Sequence, residues 1–236
     1  YSKILKIFAR KFVLYCLFIL FNEALFHRDR KTATMIKLVG MMDSPYVRRV
    51  AISLELYGVE FESQPLSVFS TFDAFSRINP AVKAPTLILD NGIRLMDSSL
   101  ILNYFETQAA PGRRLLPVEP DALANDLQTL GFILAAAEKA VQNVYEHHQR
   151  PVEKQHALWV ERITTQLLAA CREWNALLET RPTSAAPDQV AVTSTVVWTF
   201  IQSMIPHVVN AADFREIQAV AESFESQAVF KKYPFS

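Results

Sequence analysis

Three consecutive polar residues, Asp97-Ser98-Ser99, stand where an apolar stretch ends and a helical pattern begins. The apolar residues that follow recur at helical spacing, at Leu100, Ile101, Tyr104 and Phe105. The first backbone amides of a helix have no partner inside the helix, so they are available to bind an anion. A short carboxylate and a hydroxyl at this position either cap the helix itself or hold a ligand that carries an amine and an anion. Both interpretations stay open at this point.

A proline stands directly before the two short strands that lead to this helix start. The strands are predicted at Thr86 to Leu89 and at Ile93 to Met96, joined by an Asp-Asn-Gly turn that tolerates positive φ. A proline before a central strand removes one donor from the ladder of hydrogen bonds. The preceding peptide is therefore expected to have another role, such as presenting its backbone to a ligand. We predict a cis peptide bond at Pro85.

A second helix start carries a hydroxyl group. Ser44 is placed to cap a helix, and Pro45 occupies the first helical position, where a missing N–H costs nothing. Apolar residues follow at helical spacing, and Gly58 is predicted to end the helix. A short strand, Ile36 to Val39, precedes it.

The remaining patterns predict two regions of different fold class. A strand near Phe61 to Leu66 and a helix from Phe69 to Ile78 complete a β-α-β-α-β-β-α unit, which is an α/β thioredoxin-like arrangement. A linker rich in proline follows, from Pro111 to Pro120, and after it only helical patterns occur. The helices are predicted at about 121–149, 152–179 and 186–205, with a shorter pair at the end. The first of them is predicted to face a core with Leu123, Leu127, Leu130, Leu134, Ala137, Val141 and Val144.

Charge and cysteine content give no support for several classes of partner. The chain has 236 residues, with 24 basic and 24 acidic side chains, and its formal net charge is zero. A balanced charge gives no electrostatic basis for binding nucleic acid or an anionic membrane surface. Cys16 and Cys171 lie far apart, in no metal or redox spacing, which is typical of a reducing compartment. Cys171 stands among apolar residues and is predicted to be a buried structural thiol.

The first 34 residues differ from the rest of the chain. Basic residues precede an apolar stretch, Phe12 to Phe21, that is shorter than the roughly 20 residues needed to span a bilayer. Three interpretations of this segment stay open: a translated extension ahead of a natural start at Met35, a signal or anchor, or an added helix. The first of these is favoured. The predicted division is therefore an extension (1–34), a thioredoxin-like domain (35–115) and an all-helical domain (116–236).

Three sequence blocks, taken together, resemble a known family. They are Ser44-Pro45-Tyr46-Val47-Arg48-Arg49-Val50, then Asn79-Pro80-Ala81-Val82-Lys83-Ala84-Pro85, then the stretch from Leu95 through Asp97-Ser98 to Tyr104. In order and spacing they resemble the glutathione-binding domain of the glutathione S-transferase family, in the bacterial-type form with serine at the N-terminal active-site position. The likeness continues more weakly to the C-terminus. It implies glutathione as co-substrate, no metal and a homodimer.

The resemblance implies a role for the hydroxyl at the first helix start. Glutathione is a good nucleophile only as its thiolate, so an enzyme that uses it must stabilise that anion at neutral pH. Ser44 is where family members that use serine place the thiolate stabiliser, and Tyr46 is the alternative donor. A plain helix cap at Ser44 and an interface aromatic at Tyr46 are the competing interpretations.

The resemblance also implies the contacts that hold glutathione. The backbone of Ala84, before Pro85, would pair with the cysteinyl backbone in the manner of an added strand. Asp97 would face the γ-glutamyl ammonium, and Ser98 would bind the γ-glutamyl carboxylate. Lys83 would meet the glycyl carboxylate, although a solvated lysine is the competing interpretation.

The helical domain would supply the pocket for a small hydrophobic electrophile. Phe132, Tyr145 and Trp198 are the weak candidates for its lining, because an aromatic residue at helical spacing is more often plain core. The family's central helix usually begins with a capping box. The resemblance puts Asp188 at its acidic position and Ala185 at its hydroxyl position, which predicts one missing cap interaction.

Two other groups of polar residues are predicted to be structural. Arg48 and Arg49 lie off the apolar stripe of the first helix, which indicates surface or domain-interface charges. His147, His148 and His156 do not fit a metal site, because adjacent histidines point to different faces of a helix and Pro151 intervenes before the third.

The function that follows is transfer of glutathione, as its thiolate, to small hydrophobic electrophiles in the cytoplasm. A glutathione-dependent isomerase or dehalogenase begins with the same thiolate and stays open as an alternative. A module that binds glutathione or a protein without turnover is the third hypothesis. A thiol oxidoreductase is disfavoured because Ser44, and not cysteine, stands at the helix start.

Overall fold

A mixed β-sheet forms the centre of the first part of the chain. The computed structural model describes residues 35–182 and 185–236. The elements of this part are β1 (Lys37–Val39), α1 (Pro45–Tyr57), β2 (Glu62–Gln64), α2 (Phe72–Ile78), β3 (Thr86–Ile88), β4 (Arg94–Met96) and α3 (Ser98–Glu106). Their order confirms the predicted β-α-β-α-β-β-α unit.

The order of the strands brings the hairpin next to the first strand. The four described strands lie in the order β2-β1-β3-β4. β1 pairs parallel with β2 and antiparallel with β3, and β3 pairs antiparallel with β4. In the hairpin turn the Leu89 amide donates to the Ile93 carbonyl, and Gly92 has a φ of 82°, which suits glycine best. The Ala84–Pro85 peptide bond before β3 is cis.

Both ends of α1 are capped by the residues that the sequence predicts. The Ser44 side chain accepts a hydrogen bond from the Val47 amide, and Pro45 is the first helical residue. Gly58 adopts the left-handed conformation, and its amide donates to the Glu55 carbonyl. The start and the end of this helix are thereby fixed by local chemistry.

The second part of the described chain contains helices and no strand. Five α-helices follow the 3₁₀ turn Pro111–Arg113: α4 (Pro120–His148), α5 (Ala157–Thr180), α6 (Gln189–Met204), α7 (Arg215–Glu225) and α8 (Ala228–Lys232). Their packed faces form one large hydrophobic cluster, and the sheet and its helices form another. An α/β thioredoxin-like part followed by a helical part is the fold class predicted.

The core-facing side of α4 differs in part from the prediction. Leu130, Ala137 and Val144 are buried as expected, but Leu127 is 50% exposed. The buried positions absent from the prediction are Asp126, Thr129, Ile133, Ala136, Ala140, Asn143 and Glu146. Four of the seven are polar, so a pattern of apolar residues does not mark them.

The start of α6 corrects the predicted capping box. The helix begins at Gln189, and Asp188 is itself the N-cap, with its carboxylate accepting from the Ala191 amide at 2.9 Å. Asp188 also binds Arg181 at 2.8 Å. The predicted loss of a cap was wrong because Ala186 precedes a proline, which disfavours helical backbone and moves the start of the helix past Pro187.

Cys171 is a fully buried thiol in α5, as predicted. Burial raises the pKa of the Cys171 thiol to about 12. The reactive species is the thiolate, so we expect the native protein to resist alkylation at Cys171 near neutral pH and to react there once unfolded. Iodoacetamide labelling followed by mass spectrometry of the Cys171 peptide checks this. Rapid labelling of that peptide in the native protein would contradict it.

Arg48 of α1 is placed by one of the two alternatives that the sequence left open. Its side chain is 1% exposed, and the guanidinium binds both carboxylate oxygens of Glu225 in α7. The Arg48 Nε also donates to the Tyr233 carbonyl at 2.7 Å. Arg48 is therefore an interface charge, as one of the two predicted alternatives had it, but it is buried. The apolar stripe could not indicate this because the acidic partner lies 177 residues away in sequence.

Residues 36–236 form one compact unit by their contacts. The predictions made for residues 1–34 lie outside the described residues. Within the part that the structure describes, no helix combines the length and the apolar character needed to cross a bilayer.

Candidate functional site

A cleft of about 560 Å³ opens where the start of α1 faces helices α4 and α6. Its lining comes from the loop before α1 and the first residues of α1, the loop after β2, the segment before β3, and helices α4 and α6. The lining residues are Met41, Asp43, Ser44, Pro45, Tyr46, Leu66, Ser67, Val68, Phe69, Ala81, Val82, Lys83, Ala84, Val141, Val144, Tyr145, His148, Gln149, Phe200 and Met204. Five residues predicted for the site are among them: Ser44, Tyr46, Lys83, Ala84 and Tyr145.

Ser44 lines this cleft, and its hydroxyl has a donor that the helix cap does not use. Its Oγ accepts from the Val47 amide over 3.4 Å, which is a long hydrogen bond. A hydroxyl has one donor in addition to its two acceptor lone pairs. Capping α1 uses an acceptor, so the O–H remains available to donate to an anion in the cleft. The plain cap and the functional role are therefore compatible.

Tyr46 lines the same cleft and is the second residue of α1. Burial raises the pKa of the Tyr46 phenol, with a further contribution from Glu138. The hydroxyl is therefore protonated at neutral pH and can only act as a neutral donor or acceptor. The geometry leaves Tyr46 as the second candidate donor.

The helix start at Asp97 forms a charged corner beside the cleft. Asp97 is the N-cap of α3, and its carboxylate accepts from the Ser99 amide at 2.9 Å. Lys83 lies 3.5 Å from the other oxygen of the Asp97 carboxylate. Lys83 also lines the cleft, so it joins this corner to the cleft wall. Asp97 has a φ of 65°, an unusual conformation for any residue but glycine.

Arg49 is a third charge at this corner, and the prediction of a surface or interface charge was wrong for it. Its side chain is 2% exposed inside the sheet-containing part. The Arg49 Nη1 donates to the hydroxyl oxygens of Ser98 and Ser99, each at 3.3 Å. The sequence pattern did not indicate that Arg49 is buried, because an arginine beside an apolar stripe is usually solvated.

Aromatic residues form part of the cleft lining. Tyr145 packs edge-on against Phe69, with 5.2 Å between the ring centroids. Phe200 and Met204 of α6 also line the cleft. Phe69 reaches the cleft because the residues before α2 form a turn, in which the Ser67 amide donates to the Thr71 hydroxyl at 2.8 Å, and α2 starts at Phe72. The apolar pattern predicts a helix that starts at Phe69, and this prediction gives no sign that Phe69 lines the cleft.

Two of the three aromatic residues predicted for this pocket lie elsewhere. Trp198 is 2% exposed and packs edge-on against Trp174, while its indole N–H donates to Gln218. Phe132 is partly buried against the helical core and does not line the cleft. Both predictions were wrong because helical spacing shows that a residue faces inward but not which interior it faces.

The histidines have separate structural surroundings. The His147 ring is 2.8 Å from the Asn143 carbonyl, and His156 caps α5 by accepting from the Trp159 amide. His148 alone of the three lines the cleft. Among the described residues, no group of three or more His, Cys, Asp or Glu side chains is placed to hold a metal ion.

Residues 38–114, which contain the charged corner and one wall of the cleft, match the family model for the glutathione S-transferase N-terminal domain. By this match, the chain carries a glutathione S-transferase N-terminal domain. Curated transferase relatives agree with the match. Glutathione S-transferase U7 of Arabidopsis thaliana is 29% identical over 92 residues, which are 39% of this chain and 40% of the relative.

Another family relative is bacterial. The uncharacterized GST-like protein YibF of Escherichia coli is 31% identical over 108 residues, covering 42% of this chain and 52% of YibF. The chain thus spans about half or less of the length of these curated relatives.

Solved glutathione S-transferase structures share the fold over most of the chain. A glutathione S-transferase of Methylobacterium radiotolerans, in complex with glutathione sulfonate, has a TM-score of 0.78 at 23% identity and covers 86% of this chain and 96% of its own. A glutathione S-transferase of Methylobacillus flagellatus, with glutathione bound, has a TM-score of 0.76 at 20% identity. The match covers 84% of this chain and 98% of that protein. At these identities the likeness shows the fold alone.

Proposed function

We propose that the cleft binds glutathione with its γ-glutamyl end at the Asp97 corner and its sulfur beside Ser44. The observation that supports this proposal is that three separate segments of the chain meet at the cleft. Ser44 and Ala84 line one cleft, and Lys83 joins that cleft to Asp97 through an ion pair. In this orientation the Asp97 carboxylate faces the ligand ammonium, and Ser98 at the start of α3 faces the γ-glutamyl carboxylate. The Ala84 backbone, before Pro85, pairs with the cysteinyl backbone.

The start of α1 supplies the stabilisation that a thiolate needs. Lowering a thiol pKa by two units takes about 2.7 kcal/mol of preferential stabilisation of the anion. A hydrogen bond to a charged group contributes roughly 1.5 to 3 kcal/mol, and the positive end of a helix about 0.3 to 1 kcal/mol. One serine hydroxyl together with the N-terminal end of α1 therefore supplies stabilisation of the size required. Tyr46 is the second candidate for the same role.

The reaction we propose is transfer of the glutathione thiolate to a small hydrophobic electrophile. Tyr145, Phe69 and Phe200 give part of the cleft an apolar, aromatic lining. A conjugation assay over a panel of aromatic halides, epoxides and enals, with and without glutathione, tests this. Conjugation of at least one panel member supports the transferase.

The same assay separates the alternatives. Glutathione-dependent isomerisation, or halide release without a stable conjugate, would favour an isomerase or a dehalogenase. Retention on glutathione agarose with no turnover of any panel member would favour a binding module.

Removing the charge of Asp97 should weaken glutathione binding. Asparagine keeps the cap acceptor for the Ser99 amide and tolerates the positive φ, so Asp97→Asn isolates the carboxylate. Losing one charge-assisted contact with the ligand ammonium should raise Kd about tenfold or more. Calorimetric titration with glutathione measures this. Asp73→Asn, at an exposed acid of α2, is the matched control, and equal affinities for the Asp97 variant and the wild type would remove the assignment.

We further propose a homodimer in the cytoplasm, with the two domains dividing near residue 115. Leu100 and Tyr104 support the dimer, because they are exposed at 63% and 37% and lie one turn apart on the same side of α3. Light scattering of the wild type and of Leu100→Asp tests it. A monomeric wild type would contradict the dimer, and recovery of the protein from the membrane fraction would contradict the location.

A further inference from the structure

Arg49 lies beneath the residues that begin α3, at the corner proposed for the γ-glutamyl end of glutathione. It belongs to α1, and its side chain is 2% exposed. The Nη1 donates to both serine hydroxyls at the start of α3, Ser98 and Ser99, at 3.3 Å each. Ser98 is itself 2% exposed, whereas Ser99 is open to solvent. One buried cation therefore holds a buried hydroxyl and an exposed one.

The hydrogen bonding of Arg49 is incomplete. Among the described residues, the Arg49 Nε has no hydrogen-bond partner, and no carboxylate forms an ion pair with the guanidinium. Burial lowers the pKa of Arg49 to about 10, and the nearby Asp97 charge acts in the opposite direction. The side chain therefore remains a cation at neutral pH. A buried cation that lacks a paired anion is costly, and proteins rarely keep one unless an anion completes the site.

The charges at the corner match the charges of the proposed ligand. Lys83 and Arg49 contribute two positive charges and Asp97 one negative charge, which leaves one positive charge in excess. Glutathione with its thiol protonated carries one ammonium and two carboxylates, so its net charge is one negative. The ligand ammonium suits Asp97, one carboxylate suits Arg49 with its serines, and the other suits Lys83.

We infer that Arg49 is a positioning residue for the ligand's γ-glutamyl carboxylate and acts through the hydroxyls of Ser98 and Ser99. A hydroxyl oxygen that accepts from the guanidinium has its O–H free to donate in another direction. Both serines are thereby oriented to donate to a carboxylate arriving at the start of α3. The buried guanidinium also attracts that carboxylate across a medium that screens charge less than water does. This inference rests on the proposed function.

A pair of ligands tests the role of Arg49 directly. Glutathione is compared with γ-aminobutyryl-cysteinylglycine, which keeps the ammonium and the sulfur but lacks the γ-glutamyl carboxylate. Calorimetry on the full chain should show the wild type binding glutathione about tenfold or more tighter than the analogue. In Arg49→Met that ratio should fall to near one, and Arg49→Lys should recover part of it. In activity assays with glutathione, KM should rise in Arg49→Met far more than kcat falls.

The outcomes separate this inference from the proposed function and from a structural role. Arg77→Met, at an exposed arginine of α2, is the matched control and should keep the wild-type ratio. If Arg49→Met weakens both ligands equally, or keeps the ratio, Arg49 is only structural and the inference fails. If Arg49→Met does not fold, Arg49→Lys and Ser99→Ala should each lower the ratio, and a wild-type ratio in both overturns the inference. A wild type that binds neither ligand overturns the proposed function, and the inference falls with it.

Discussion

Replacing Ser44 with alanine should lower kcat for glutathione conjugation by about 10- to 100-fold, with little loss of glutathione affinity. The Ser44 hydroxyl matters to the charged sulfur and much less to the neutral thiol, so its removal reduces the thiolate fraction and leaves most binding contacts in place. Steady-state kinetics with saturating glutathione measures kcat, and calorimetry measures Kd. The expected signature is a fall in kcat at nearly constant Kd.

Two further variants control the Ser44 experiment. Ser44→Thr keeps a hydroxyl and a capping oxygen and should retain most of the rate. Tyr46→Phe removes the second candidate donor and should have the smaller effect of the two deletions. Because the loss of the cap also costs about 1 kcal/mol of stability, assays belong well below the unfolding temperature of the variant. If Ser44→Ala keeps the wild-type turnover and Tyr46→Phe abolishes it, Tyr46 and not Ser44 stabilises the thiolate.

Removing the side chain of Arg48 should destabilise the protein by about 3 kcal/mol. Arg48→Ala leaves the Glu225 carboxylate without its main partner and leaves the Tyr233 carbonyl without the Arg48 Nε donor. The expected cost lies at the lower end of the range for buried pairs because Glu225 is 30% exposed. Urea unfolding followed by circular dichroism measures the change in the free energy of unfolding.

Lys232→Ala is the matched control, because Lys232 forms an exposed ion pair with Glu55 between the same two regions. Exposed pairs contribute little, so this variant should unfold close to the wild type. If Arg48→Ala were as stable as the control, Arg48 would not join α1 to the C-terminal helices in the way the contacts indicate.

Local signals in the sequence were sufficient to predict the elements that carry the site. Ser44 with Pro45 begins α1, Gly58 ends it, and Asp97 begins α3, and each of these acts on its own few backbone groups. The hairpin before α3 follows in the same way from its Asp-Asn-Gly turn. Such features depend on neighbours in sequence, which is why they can be predicted without a structure.

The errors concern contacts between distant parts of the chain. Trp198 lies in the helical core and not in the cleft, because helical periodicity cannot distinguish two interiors. Arg48 and Arg49 are buried by partners that lie 177 and 49 or 50 residues away, which no local pattern reports. Phe69 lies in a turn and contacts Tyr145 in the cleft, whereas the apolar pattern predicted a helix at this position.

The proposed sulfur position beside Ser44 is tested most directly by the pKa of the bound glutathione thiol. The thiolate absorbs ultraviolet light that the thiol does not, so a pH titration of the saturated complex, corrected for protein absorbance, gives this pKa. A serine donor at the mouth of α1 should place the pKa about one to two pH units below that of free glutathione. A bound thiol that titrates with the pKa of free glutathione would contradict the account.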